Sequence, residues 1–403
     1  MDQPDIAIVG GGAAGFFAAI TAAETQPGTR VTILEKGPRI LAKVRISGGG
    51  RCNVTHACFD PHTLVQHYPR GGRALIGIFH HWGPADTVAW FESRGVRLKT
   101  ENDGRMFPLT DDSATIIDCL ESAAHAAGVV VRTHCGVQSV RMEGEHFRLD
   151  TSGGPFDAPR LLLAHGGPRA GDTLATGLGH SLVPPVPSLF TFHVTDPLLE
   201  GLAGVSIPEV EAAIPQAGET RRGPLLITHT GLSGPAILRL SAWAARWIHD
   251  QDYHFDLTLR WLPHLPLDGV LQRLRTARQD LARKQVGTVS PFAEIPQRLW
   301  ERLAAADDHR WSSLTNDQLH SLAARLHATT LTVRGKSMNK DEFVTAGGVS
   351  LKEIDLRTME SRIRPGLHVA GEALDIDGVT GGFNFQAAWT TGRLAGLALA
   401  QSL

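Results

Sequence analysis

Cysteine is scarce in this chain. Cys52, Cys58, Cys119 and Cys135 are the full complement in 403 residues, and no two of them stand at C-x-x-C spacing. That excludes a disulfide-built scaffold and makes a reducing, cytoplasmic setting the default expectation. Metal-ligand spacing is absent as well, so no metal is expected. The 19 histidines are scattered, and the adjacent pair His80–His81 reads as the surface end of a helix. An excess of one charge is also missing. The chain has 39 basic and 41 acidic residues, a net charge of −2, which gives no reason to expect a nucleic-acid or membrane-surface partner. The apolar stretch from Ile6 to Ala23 follows Asp2 and Asp5 rather than basic residues and is interrupted by Gly10, Gly11 and Gly12, so it does not read as an export signal. No other run is long enough to cross a membrane.

What the chain does have is apolar residues (42%) and 43 glycines, enough for a large α/β core with many tight turns and two or three domains. The most informative stretch runs from Asp5 to Glu35. Ile6 to Val9 is a short apolar run of the kind buried on both faces of a sheet. Gly10, Gly12 and Gly15 follow in G-x-G-x-x-G spacing, and Ala13 to Glu24 is rich in helix formers. Val31 to Leu34 is a second apolar run, and it ends on Glu35. Each glycine has a task in a dinucleotide fold. Gly10 lets the chain turn sharply, Gly12 lets a pyrophosphate approach the backbone, and Gly15 lets helix and sheet pack closely. The helix start, at Ala13 and Ala14, offers N–H groups to the phosphates. Glu35 stands about 20 residues beyond Gly15, where an acid accepts a hydrogen bond from a ribose 2′-hydroxyl. A free 2′-hydroxyl suits FAD or NAD better than NADP.

After Glu35 the sequence KGPRILAKVRISGGGRCNVTH loses hydrophobic periodicity and reads as a loop, with Lys36, Arg39, Lys43, Arg45 and Arg51 around the glycines Gly48, Gly49 and Gly50. Such a loop crowds N–H groups and cations about an anion. It leaves the carboxyl end of the second strand, where ligands bind in open α/β sheets.

ISGGGRCNVTH, with the preceding LEK and Lys43, resembles the signature loop of the BaiN-like bacterial flavoproteins, a family of NAD(P)/FAD-dependent oxidoreductases also described as aminoacetone oxidase family FAD-binding enzymes. A second match is the middle stretch GPLLITHTGLSGPAILRLS, and a third is the run from Val344 to Gln386 containing TMES, PGL, AGE, LDIDG and TGG. The resemblance implies that Lys36, Lys43, Ser47, Gly48, Gly49, Gly50, Arg51, Cys52 and Asn53 line the cofactor. It further implies that Val137, and Ala164, Gly166 and Gly167 of the AHGG segment, lie near it, with His165 either reaching the cofactor or serving the structure. Gly371, Glu372, Asp377, Gly378, Gly381, Gly382, Phe383 and Asn384 would face the flavin ring and ribityl chain. Three departures stand out. Phe383 and Phe385 replace Tyr and Leu, and RAGDTLATGLGHSL only distantly matches the family's STGDG element.

The expected architecture is a Rossmann-type FAD-binding domain (residues 1–188 and 342–403) interrupted by an insertion. By resemblance the insertion has a β-rich part (189–254), a helical part (255–327) and a return strand (328–341). Prolines at 184, 185, 187 and 197 mark the crossing into it. Local pattern predicts helices over 73–81, 85–94, 111–127, 262–306 and 314–326, strands over 129–132 and 137–142, and a turn at Gly104–Pro108. The cations Arg273, Arg275, Arg278, Arg283 and Lys284 alternate with polar residues and read as an exposed helix face.

The resemblance implies hydride chemistry at flavin N5 on a small organic substrate, in a site where the insertion covers the flavin. A second G-x-G-x-x-G unit is lacking, so NADH or NADPH would bind only transiently. Two alternatives stay open: an oxygen-using amine or amino-ketone oxidase, and a flavin-dependent RNA-modifying or RNA-binding protein. Catalytic candidates are Arg51, Cys52 as a redox-active thiol, and His229, which is either chemical or positioning.

Overall fold

The first strand, Ile6–Val9, is wholly buried, and it is the middle of a parallel set because it has an apolar neighbour of equal length on each side. Ile6 pairs in parallel register with Val31 of strand Val31–Leu34 and with Arg160 of strand Arg160–Leu163. Val130–Arg132 extends the sheet beyond Val31–Leu34, and Leu367–Val369 extends it beyond Arg160–Leu163, both in parallel. Two short antiparallel strands, Glu360–Ser361 and Ile354–Asp355, finish that edge and bring the sheet to seven strands. This computed structural model describes residues 5–167, 173–304, 309–337 and 344–401. Segment 168–172, which opens the stretch compared with STGDG, lies outside them.

The chain separates into two units, residues 1–186 with 344–403, and residues 187–343. In the first unit, helix Ala13–Thr25 is buried almost all round, because the sheet covers one side and the last helix, Phe383–Gln401, covers another. Close approach of the two helices depends on glycine. A Cβ on Gly392 would lie 2.5 Å from the Ala14 carbonyl oxygen, and one on Gly396 2.5 Å from that of Ala18. The three-stranded meander Val137–Glu143, His146–Thr151 and Phe156–Ala158 stands apart from the main sheet.

The second unit contains a closed six-stranded barrel in the order Phe192–Val194, Gly231–Ser233, Glu219–Ile227, Ser206–Ile214, His254–Arg260, Thr329–Lys336. Alternation fixes its inner face: Leu257 and Leu259, and Leu331 and Val333, are buried, while Asp256 and Thr332 are not. Helices Leu267–Asp280 and Asn316–His327 pack beside it over a core that includes Trp261, Trp300 and Trp311.

Several local expectations change. The helical run over 262–306 is two helices, Leu267–Asp280 and Gln297–Leu303, because Gly287, Pro291 and Pro296 fall between them. Gly104–Pro108 is a turn only at its start. Arg105–Pro108 is a strand that pairs on both edges, with Thr55–His56 and with Leu98–Thr100. The glycine loop after Glu35 begins as a helix, Ala42–Gly50, which loses helical geometry at Ser47 and turns left-handed at Gly48 and Gly49. The prolines near 184 lie in a strand, Leu182–Ser188, of a two-stranded ribbon with Val344–Val349, an arrangement in which missing N–H donors are tolerated.

Candidate functional site: a dinucleotide crevice in the first unit

Three glycine-bearing segments converge at the carboxyl ends of the parallel strands. The first is the turn after Ile6–Val9. Gly10 has φ +110°, and a side chain there would collide with the Ala164 backbone, while one on Gly15 would collide with the Gly10 carbonyl. Gly12 differs: a Cβ there would meet nothing within 4 Å. Gly12 is also the N-cap of helix Ala13–Thr25, and no side chain caps that helix end. Open space in front of uncapped N–H groups is what a pyrophosphate requires.

Glu35 is held beside this turn. Gly11 N–H donates to its Oε2 (2.9 Å) and Gly37 N–H to its Oε1 (2.8 Å), which fixes the carboxylate and leaves further acceptor capacity for a ribose hydroxyl. The segment leading to Val137 lies against it: Cys135 N–H donates to Glu35 O (2.8 Å), and Gly136 sits over the Lys36 stem.

The second segment is the kink at Ser47–Asn53. A Cβ would meet nothing within 4 Å at Gly49 or Gly50, whereas at Gly48 it would touch Phe107. Ser47 Oγ donates to Val44 O (3.0 Å) and secures the helix end. Arg51 lies over the Phe107 ring (4.0 Å to the centroid) and donates to Glu101 (2.6 Å), whose carboxylate raises the Arg51 pKa. Cys52 is fully buried, and burial pushes its thiol up to about 12, so at neutral pH it is a protonated thiol rather than a thiolate. All four cysteines are free. Lys43 forms an ion pair with Glu372, which brings two of the cofactor candidates into contact.

The third segment, Gly371 to Asn384, is built from its own side chains. Gly371 N–H donates to Thr391 Oγ1 (2.9 Å). The Asn384 amide bridges both polar groups of Gly378, at 2.8 Å each. Asp377 is buried in an ion pair with Arg70. With its amide oriented to suit its neighbours, Asn53 accepts from Gly382 N–H (2.9 Å) and donates to Thr55 O (3.0 Å), which ties the second segment to the third. Thr55 Oγ1 to Gln386 (2.6 Å) and Trp389 Nε1 to Val54 O (2.9 Å) strengthen the seam. On the strand between the first and third segments, Ala164 N–H donates to Val9 O, His165 Nδ1 lies 3.0 Å from Gly166 O, and Gly167 abuts Thr345.

The structure therefore brings the candidates from Gly10 to Asn53, from Ala164 to Gly167 and from Gly371 to Asn384 into one unit. His229 is elsewhere, exposed on the turn between barrel strands Glu219–Ile227 and Gly231–Ser233. Sequence reasoning missed His56, His67, Tyr68 and Arg70. Tyr68 donates to Phe383 O (2.6 Å), and both imidazoles stack on the Phe383 ring. Among the described residues, no group of three or more His, Cys, Asp or Glu side chains could hold a metal. No described helix is long and apolar enough to cross a membrane.

An uncapped helix start, open ground at Gly12, Gly49 and Gly50, and a fixed acid at the second strand fit FAD. The fold and this crevice define an FAD-dependent oxidoreductase with a Rossmann-type core. The chain belongs to the HI0933-like protein Rossmann domain family, whose profile matches residues 4–398. It is 32% identical over 406 residues to a ribosomal RNA dihydrouridine synthase of Escherichia coli, covering 97% of this chain and 96% of that one. It is 31% identical over 412 residues to a 3-dehydro-bile acid delta(4,6)-reductase of Clostridium scindens, covering 98% and 99%. Among solved structures it shares its fold with a 3-ketosteroid-delta4-(5alpha)-dehydrogenase of Rhodococcus jostii (TM-score 0.54, 14% identity, 99% of this chain and 97% of that one).

Proposed function

We propose that the chain reduces a carbon–carbon double bond conjugated to a carbonyl in a small organic substrate, with NADH or NADPH as a transient reductant. What carries the reading is the chemistry shared by two near-full-length relatives. One is named for reducing the delta(4,6) bonds of a 3-dehydro bile acid and the other for making dihydrouridine in ribosomal RNA. Each name describes adding a hydride and a proton across a double bond that a neighbouring carbonyl makes electron-poor. FAD, when bound and reduced, supplies the hydride. This chain's own residues hold and orient it. The N–H groups at Gly12–Ala14 receive phosphate, Glu35 receives the ribose, and the Asn53–Gly382 seam keeps the second and third segments together. Among the described residues one parallel dinucleotide-type sheet is present, and the second unit is an antiparallel barrel with helices. That supports a nicotinamide that visits rather than one held on a domain of its own.

A second reading places the reduced bond in a uracil base of RNA. It is favoured by the Escherichia coli relative's identity across 97% of this chain. Anaerobic absorbance of the purified protein tests both. Bleaching of the flavin band by NADH or NADPH, then recovery on adding a 3-oxo-4-ene steroid, supports the first reading. Recovery with uridine-containing RNA alone supports the second. A flavin that neither nicotinamide bleaches removes the nicotinamide from the scheme, and a reduced flavin that neither acceptor reoxidises removes the reductase.

A further inference from the structure

Two imidazoles and a phenyl ring meet where the third glycine-bearing segment enters the last helix. His67 lies nearly parallel to Phe383, with centroids 4.3 Å apart and planes 12° apart. His56 stacks on the same ring at 4.7 Å and 22°, and the two imidazoles are 5.9 Å from each other. That spacing is too short for opposite faces of the phenyl ring, so they lie side by side on one face. The backbone holds them there. Val379 N–H donates to His67 O (2.8 Å), and the next residue, Tyr68, donates to Phe383 O (2.6 Å).

The two imidazoles are not equivalent. His56 Nε2 lies 3.0 Å from the Asp103 carbonyl, which can only accept, so this nitrogen carries a proton already engaged. Its Nδ1 is buried. His67 is half-buried, so its ring can regain a proton from solvent. Other acids around the ring are poorly suited. Burial raises the pKa of the Tyr68 hydroxyl and of the Cys58 thiol. The nearby charges are matched in pairs, Arg70 with Asp377 and Arg105 with Asp103, and Asp60 caps Thr63 and His62. The resembled family pattern has Tyr at position 383, and this chain has a ring without a hydroxyl.

We propose that His67 is the proton donor of the site, with Phe383 holding its ring and His56 as a positioning neighbour. The proposal rests on the reductase reading above. Reduction of a conjugated double bond requires a hydride at the carbon remote from the carbonyl and a proton at the adjacent one. The hydride brings both electrons from reduced FAD, which is oxidised. The His67 N–H bond breaks, a C–H bond forms next to the carbonyl, and the imidazole takes a proton from water.

The test uses the holoenzyme and His67→Phe, which keeps a stacking ring and removes the acid. FAD content and thermal midpoint should match the wild type. Reoxidation of the reduced flavin by 4-androstene-3,17-dione or by uridine-containing RNA should fall ~10²–10⁴-fold, and the decline of the rate above the imidazole pKa should vanish. In holoenzyme labelled with ¹³C-histidine, the His67 ring signal should shift when dithionite reduces the flavin. An unmoved signal, or a variant with the wild-type rate and pH profile, overturns the proposal. A wild-type enzyme that neither acceptor reoxidises removes the reductase reading itself, and this proposal with it.

Discussion

Two glycine-rich turns in this molecule run into helices, and they use glycine for opposite purposes. At Gly10–Gly15 the outer glycines let protein pack on protein, while Gly12 leaves room: nothing lies within 4 Å of where its Cβ would be. At Gly378–Gly382 the space is already occupied. A Cβ on Gly378 would lie 2.8 Å from Phe383, one on Gly381 the same distance from its ring, and one on Gly382 2.5 Å from Thr55 O. The sequence motif "glycines before a helix" fits both. Only the structure separates a turn that makes room for a ligand from a turn that makes room for its own chain.

The largest expected effects come from filling the packed positions. Gly15→Val and Gly382→Ala should each destabilise the fold by about 3 kcal/mol or more, through collision at Gly15 and through collision plus φ +92° at Gly382. Gly12→Asp should leave apoprotein stability within about 0.5 kcal/mol yet abolish FAD retention, because it fills the open ground with negative charge. Denaturant midpoints and the ratio of flavin to protein absorbance measure both. A Gly12→Asp protein that keeps its flavin would break the comparison.

The strand leading into the third segment should show an acid weakness. Burial lowers the pKa of His368 on Leu367–Val369 to about 4, against 6.5 for the model group. Glu360 opposes that shift and Arg160 adds to it. The unfolded chain binds the proton first, so the contribution of this site is intact above pH 6.5 and is lost as the pH falls toward 4. The loss amounts to up to about 3 kcal/mol. His368→Gln should flatten the dependence in urea melts between those limits.

Asn53→Ala should cost about 1–3 kcal/mol by leaving Gly382 N–H and Thr55 O without their bridge, and should loosen FAD as well. Cys52 should give the smallest effect. Buried and with a thiol pKa pushed up to about 12, it should resist an aromatic disulfide reagent in the native protein and react only on unfolding.

The stretch from Gly10 to Glu35 was readable in the sequence because its elements are local. A strand, a turn and a helix of 13 residues lie next to one another in the chain, and the acid follows. The kink at Ser47–Asn53 was readable as a glycine cluster, but not as the end of a helix. Strand Arg105–Pro108 was missed because a run of four residues has too little pattern, and its partners are far away in sequence. The ring cluster at Phe383 was hidden for the same reason. Tyr68 and Phe383 are 315 positions apart, and no periodicity encodes such a pairing.

The clasp of helix Ala13–Thr25 by helix Phe383–Gln401 has a consequence for how the protein is made. The helix that starts at the phosphate turn is among the first segments to leave the ribosome, and its cover is among the last. Residues 187–343, a unit with its own core, are synthesised in the interval. An Ala- and Phe-rich surface is thus uncovered throughout elongation, and the inserted unit can fold while its host waits. Flavin capture then follows chain completion, and a nascent chain stalled before Phe383 would carry a finished barrel beside an unfinished Rossmann fold.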